Sequence, residues 1–170
     1  MRPQDVPILL KILSYSSKGQ LWQMKKLAAD LGISASEVSE SLNRSVQSDL
    51  INRSKREVSR LALLDFLSHG IRYVFPQKPG AIVRGLKTAH SAPPLANLIA
   101  SEEHYVWADA YGESRGQAIE PLYPSLVEAS KKDDYLYQSL ALIDALRVGR
   151  VREQELAKQE LKKLILKDGE

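Results

Sequence analysis

Hydrophobic positions recur at helical spacing through the first third of the chain. Val6, Leu9, Leu10 and Leu13 fall at i, i+3, i+4 and i+7, which predicts a helix over residues 5–15 with Pro7 tolerated in its first turn. Residues 16–19 break the pattern, and Gln20 and Leu21 read either as a short strand or as the lead-in to a second helix. Trp22 is expected to pack against the first helix. Leu27 and Leu31 then share a face, Ala28 is small where another helix must cross closely, and Gly32 supplies the positive φ that ends a helix. Ile33 fills the gap between two helices. Ser34 with Glu37 three residues on predicts a capping box. Val38 and Leu42 turn inward on the helix that follows, which ends near Ser48. The pattern over 24–51 is that of a helix-turn-helix.

Beyond it, Leu50-Ile51 and Glu57-Val58 flank the polar residues 52–56, which predicts a small hairpin. Leu61, Leu64, Leu67 and Ile71 form the next helical stripe, with Gly70 as its stop signal. Residues 71–75 either continue that helix or form a short strand. Residues 76–124 hold six of the eight prolines together with Gly80, Gly85, Gly112 and Gly116, which argues against long helices. A short strand is expected at 81–83, and 105–107 with 114–119 across the turn 109–112 predict a β-hairpin. Pro124 opens a short helix holding Leu126, Val127 and Ala129. Asp133-Asp134 caps a longer one whose face is Leu136, Leu140, Ile143 and Leu146, and Gly149 interrupts it. Residues 151–166 continue as an amphipathic helix, with Ala157, Leu161, Leu164 and Ile165 on one side and Lys158, Lys162 and Lys163 on the other. The expected fold class is mainly α with small β-hairpins (α+β). It divides into an N-terminal region 1–75 and a loop-rich, helical C-terminal region 76–170.

The run Leu-Ala-x-x-Leu-Gly-Ile-Ser-x-Ser-x-Val-Ser-x-x-Leu, closed by Leu50-Ile51, resembles the DNA-reading core of winged helix-turn-helix transcriptional regulators of the broad MarR-like class. The resemblance covers about the first third of the chain, and its motif is far more specific for a fold than for a target. It implies a recognition helix in the major groove with a β-hairpin wing beside it. By matching positions, Ser34, Ser36, Ser39, Glu40, Asn43 and Arg44 face the groove, and Lys25 joins the DNA-binding set. Arg53, Lys55 and Arg56 lie at the hairpin tip, where cations reach phosphates or the minor groove. Asn43 suits adenine, Arg44 guanine or a phosphate, and Glu40 the amino group of cytosine. Three short serines and one carboxylate imply modest affinity per half-site, so useful specificity calls for a homodimer. The apolar faces of the two last helices exceed what one small region covers, so they either mediate self-association, the route expected here, or pack back on the middle segment and the first helix.

Composition changes this picture little. The chain has 170 residues, 44% of them hydrophobic, and no cysteine, which indicates a folded core without disulfides or thiolate metal sites. No apolar run is long enough to span a bilayer, and the first residues lack the apolar stretch of a signal peptide. A cytoplasmic protein without membrane contact is expected. The net charge of +3 is unevenly placed: residues 1–60 carry 10 Lys/Arg against 6 Asp/Glu, and residues 61–170 carry 14 against 15. Positive charge thus concentrates on the region with the nucleic-acid motif.

Phosphate loops, His-Glu-x-x-His pairs and nucleophile elbows are absent, and His69, His90 and His104 lack ligand spacing. No catalytic residue, metal or cofactor is assigned, and the chain is not expected to be an enzyme. Two Arg-Gly pairs, Arg84-Gly85 and Arg115-Gly116, with Trp107 in the same stretch, suggest a site for an anion or small ligand, or else ordinary turn glycines beside structural arginines. The expected function is a sequence-specific regulator bound to double-stranded DNA, its C-terminal region taking a small-molecule or protein effector. The alternative is a protein-interaction or antitoxin-like module that uses the same fold without reading DNA.

Overall fold

A computed structural model describes residues 1–167. Helices α1 (Asp5–Ser17), α2 (Met24–Leu31), α3 (Ala35–Gln47), α4 (Arg60–His69) and the single turn α5 (Ile71–Val74) come first. Strands β1 (Ile82–Thr88), β2 (Tyr105–Ala108) and β3 (Ser114–Ala118) follow, and helices α6 (Leu126–Lys131), α7 (Asp134–Val148) and α8 (Val151–Leu166) close the chain. The architecture is mixed α and β. Among the described residues no helix is long and apolar enough to cross a membrane.

α1 is buried along its length, from Asp5 to Tyr15, because it lies between α2 and α3 on one side and α7 on the other. Its polar residues are each answered there. Lys11 Nζ and Ser14 Oγ both donate to Asp133 Oδ2 at 2.6 Å, and Asp133 also caps α7 by accepting from the Leu136 N–H at 3.1 Å. Burial pushes the Asp133 carboxyl up, but the hydrogen bonds from Lys11, Ser14 and the backbone prevail and hold it below the usual carboxylate range.

The strands were expected where they lie, but their pairing differs. β1 is longer than the segment 81–83 and runs antiparallel to both β2, from Gly85↔Ala108 to Thr88↔Tyr105, and β3, from Ile82↔Gln117 to Gly85↔Ser114. Two strands antiparallel to a third run parallel to each other. β2 and β3 are therefore not the arms of the expected hairpin; they pair in parallel through Tyr105↔Gln117 and Val106↔Ala118 and close the sheet on itself. Asp144 of α7, fully buried, ties this sheet to the helices. It accepts from Thr88 Oγ1 and Trp107 Nε1 at 2.7 Å each and from Arg147 Nη1 at 3.0 Å.

The helical stripe on α4 is displaced by one choice of leucines. Leu63, Leu67 and Ile71 are buried against α7 and α8, whereas Leu61 is 72% exposed. Gly70 ends α4 as its C-cap, as expected, and residues 71–74 then form the separate turn α5 rather than a strand. On α8 the expected residues Ala157, Leu161 and Ile165 are buried, and they pack on α7 and α4 of the same chain. The surplus apolar surface from which a homodimer was expected is thus covered internally. The same core runs through the expected boundary at 75/76: Arg147 Nε donates to the Phe75 carbonyl at 2.8 Å. The last three positions of the region 76–170 lie outside the described residues.

Candidate nucleic-acid interface

α2 buries Leu27, Ala28 and Leu31 and ends at Gly32, whose φ of +64° places it in the left-handed region. A side chain there would be strained by that φ alone and would also sit 3.1 Å from the Ser125 Cβ. Ile33 is buried beneath the turn. Ser34 caps α3, its hydroxyl accepting from the Glu37 N–H at 3.1 Å. Only this half of the expected capping box forms. The Glu37 carboxylate turns instead to Arg44 Nη2 at 2.6 Å and Gln4 Nε2 at 2.8 Å.

Those contacts settle the place of Arg44, which was expected to face the groove. Its guanidinium spans both oxygens of buried Asp5, with Nη2 to Oδ1 at 2.7 Å and Nε to Oδ2 at 3.0 Å. Its side chain is 21% exposed. Arg44 therefore clamps α3 to the start of α1 and is not free to read a base. Burial raises Asp5, but the bonds from Arg44 and from the Arg2 N–H prevail and lower it; Glu37 is lowered chiefly by Arg44 and then by Gln4. Two carboxyls depressed in the fold contribute stability above their unfolded values of about 4, and that contribution is lost as pH falls through the folded values. Arg44→Ala is expected to cost about 3 kcal/mol at neutral pH. The gap to the native chain should narrow in acid, as read by urea unfolding over a pH series; a gap independent of pH would refute the clamp.

The outward side of α3 is open. Ser34, Ser36, Glu40 and Asn43 are exposed and Ser39 is half-buried, while Val38 and Leu42 hold the inner side against α1 and α2. Lys25, on α2, is exposed. Beside α3 the expected hairpin is reduced to one bridge, Ile51↔Val58, around the turn 52–57. Asn52 organises that turn: its side-chain oxygen accepts from the Arg56 N–H, the Glu57 N–H and the Ser54 hydroxyl. Lys55 takes a φ of +61° and donates from Nζ to the Asn43 side-chain oxygen, linking the turn to α3. Arg53 is exposed and makes no ion pair among the described residues. Arg56 is placed otherwise than expected. Its guanidinium stacks over the Trp22 ring at 4.8 Å and donates to the Trp22 carbonyl at 3.1 Å.

The second expected site does not assemble. Trp107 is 1% exposed and its indole N–H is committed to Asp144. Arg84 and Arg115 are exposed cross-strand partners on β1 and β3. The aromatic side chain is thus in the core and the two cations are at the surface. Among the described residues no group of three or more His, Asp or Glu side chains is placed to hold a metal ion. No family model matches the chain, and no curated protein or solved structure matches it.

Proposed function

We propose that the chain is a DNA-binding transcriptional regulator of winged helix-turn-helix type, with α3 entering the major groove and the turn 52–57 as a short wing. The observation that carries this reading is the open outer side of α3: Ser34, Ser36, Glu40 and Asn43 face solvent on a helix whose inner side is anchored by Val38, Leu42 and the Arg44 clamp. Asn43, whose oxygen accepts from Lys55, keeps its amide N–H groups for the N7 of adenine, the serines allow close backbone approach, and Lys25 and Arg53 supply charge for phosphates. With the α7 and α8 faces covered, two chains on one operator would meet elsewhere than on those helices.

Affinity for a duplex should fall steeply between about 50 and 200 mM salt, and Arg53→Ala should reduce the slope of log K against log salt by about one. Selection from a random duplex pool should enrich a sequence that Asn43→Ala no longer enriches. A wild-type chain that enriches nothing and shows no salt slope would end this reading. One observation favours a second: Glu40 sits exposed in the middle of the face, while Arg44 and Arg56 are engaged within the chain. A face so poor in free cations suits a protein partner, and that module would show no duplex preference in the same titration.

A further inference from the structure

We infer that the cleft between α1, α2 and the α6–α7 turn binds a small anionic ligand through a phosphate group. The cleft has a volume of about 280 Å³, and its walls include Lys11, Lys18, Lys26 and Lys132 together with Tyr15 and Asp30. The four lysines come from three separate parts of the chain and converge only in the fold. Lys11 is 7% exposed, and its ammonium lies 4.9 Å from the centre of the Tyr15 ring, with that of Lys26 at 5.8 Å.

Two carboxylates stand against these four cations. Asp133 takes Lys11 at 2.6 Å, and Asp30 takes Lys26 at 3.3 Å and the Tyr15 hydroxyl. Lys18 is 3.8 Å from an Asp133 already engaged, and Lys132 makes no ion pair among the described residues. The cleft thus keeps a surplus of two positive charges around a concave polar wall, where like charges repel and an anion is drawn in. A phosphate monoester carries close to two negative charges and three acceptor oxygens, and lysine serves phosphate as a point charge without demanding a fixed fork. The volume lies near the lower end of small-ligand pockets. This assignment is independent of whether α3 reads DNA.

Isothermal titration of the full chain with sodium pyrophosphate, at ionic strength held constant with sodium chloride, tests it. One saturable site is expected, weakened about tenfold or more in the double variant Lys18→Gln/Lys132→Gln. Both substituted residues are exposed, so the variant should keep its fold, which circular dichroism checks. Lys158→Gln, whose ammonium pairs with Glu155 at 3.2 Å, should bind as the unaltered chain does. Absence of saturable binding, or equal binding by the double variant, overturns the inference. A short DNA duplex provides the second arm. If the double variant loses duplex affinity while pyrophosphate gives no binding, the phosphate belongs to DNA and the small-ligand assignment falls.

Discussion

Asp144→Ala is expected to leave the chain largely unfolded at room temperature. The carboxylate is the common acceptor for Thr88, Trp107 and Arg147, and its removal strands a buried guanidinium. Breaking a buried pair from one side costs about 3–5 kcal/mol, against about 5–15 kcal/mol for the whole fold. Two further donors lose their partner in the same step. Adding Arg147→Met should restore part of the loss, since a buried charge is no longer left alone. Recovery stays partial because Arg147 also donates to the carbonyls of Phe75 and Glu120. Urea unfolding followed by circular dichroism measures both steps, and a single-variant cost below about 1 kcal/mol would contradict the network. Burial pushes the Asp144 carboxyl up despite Arg147, Thr88 and Trp107. Its effect on stability therefore runs opposite to that of Asp5 and Asp133: it favours the fold in acid and is lost as pH rises from the unfolded value towards the folded one.

Gly85→Ala should be nearly as damaging. Gly85 is the residue at which β1 passes from one partner to the other, paired with both Ala108 and Ser114. A Cβ there would lie 1.9 Å from the Trp107 carbonyl oxygen and 2.7 Å from its carbon. Backbone cannot yield as a side chain does, so either the ladder to β2 or the closure of the sheet must open. A cost above about 4 kcal/mol follows, which for a chain of this length lowers Tm by about 10 °C or more. Gly80→Ala is the control. Its nearest neighbour would be the Ala118 carbonyl oxygen at an ordinary 3.6 Å, and its melting temperature should be unchanged or slightly raised. Equal shifts for the two would show that the crowding at Gly85 is relieved elsewhere.

Local chemistry was legible along the chain. Ser34 and Asp133 announce α3 and α7 because a cap needs only a short polar side chain and the N–H groups just after it. The strands at 105–108 and 114–118 were visible as extended segments, but their mutual direction was not. That direction depends on β1, whose seven residues serve both of them from 17 to 35 positions away. Leu61, Leu63, Leu64 and Leu67 allow two helical stripes, and only the arrival of α8 from the other end of the chain selects Leu63 and Leu67. The candidate site divides in the same way. The exposed residues Ser34, Ser36, Glu40 and Asn43 follow from helical period, whereas the destinations of Arg44 and Arg56 depend on Asp5 and Trp22, each more than thirty positions away. The place of Trp107 depends in the same way on a distant partner, Asp144, which lies on a later helix. The lysine cleft carries no sequence signature, since its cations are ordinary surface-type residues until three segments meet.

α1 has a bearing on how this chain can drift. Eleven successive residues, Asp5 to Tyr15, touch protein on all sides, so the segment has no tolerant flank on which changes accumulate unseen. A single insertion or deletion there would swing every later side chain by about 100° around the axis. That would misdirect Lys11 and Ser14 from α7 and shift the bed on which α3 rests. Natural variants should therefore alter its loops and outer helices long before they alter the length of this one rod.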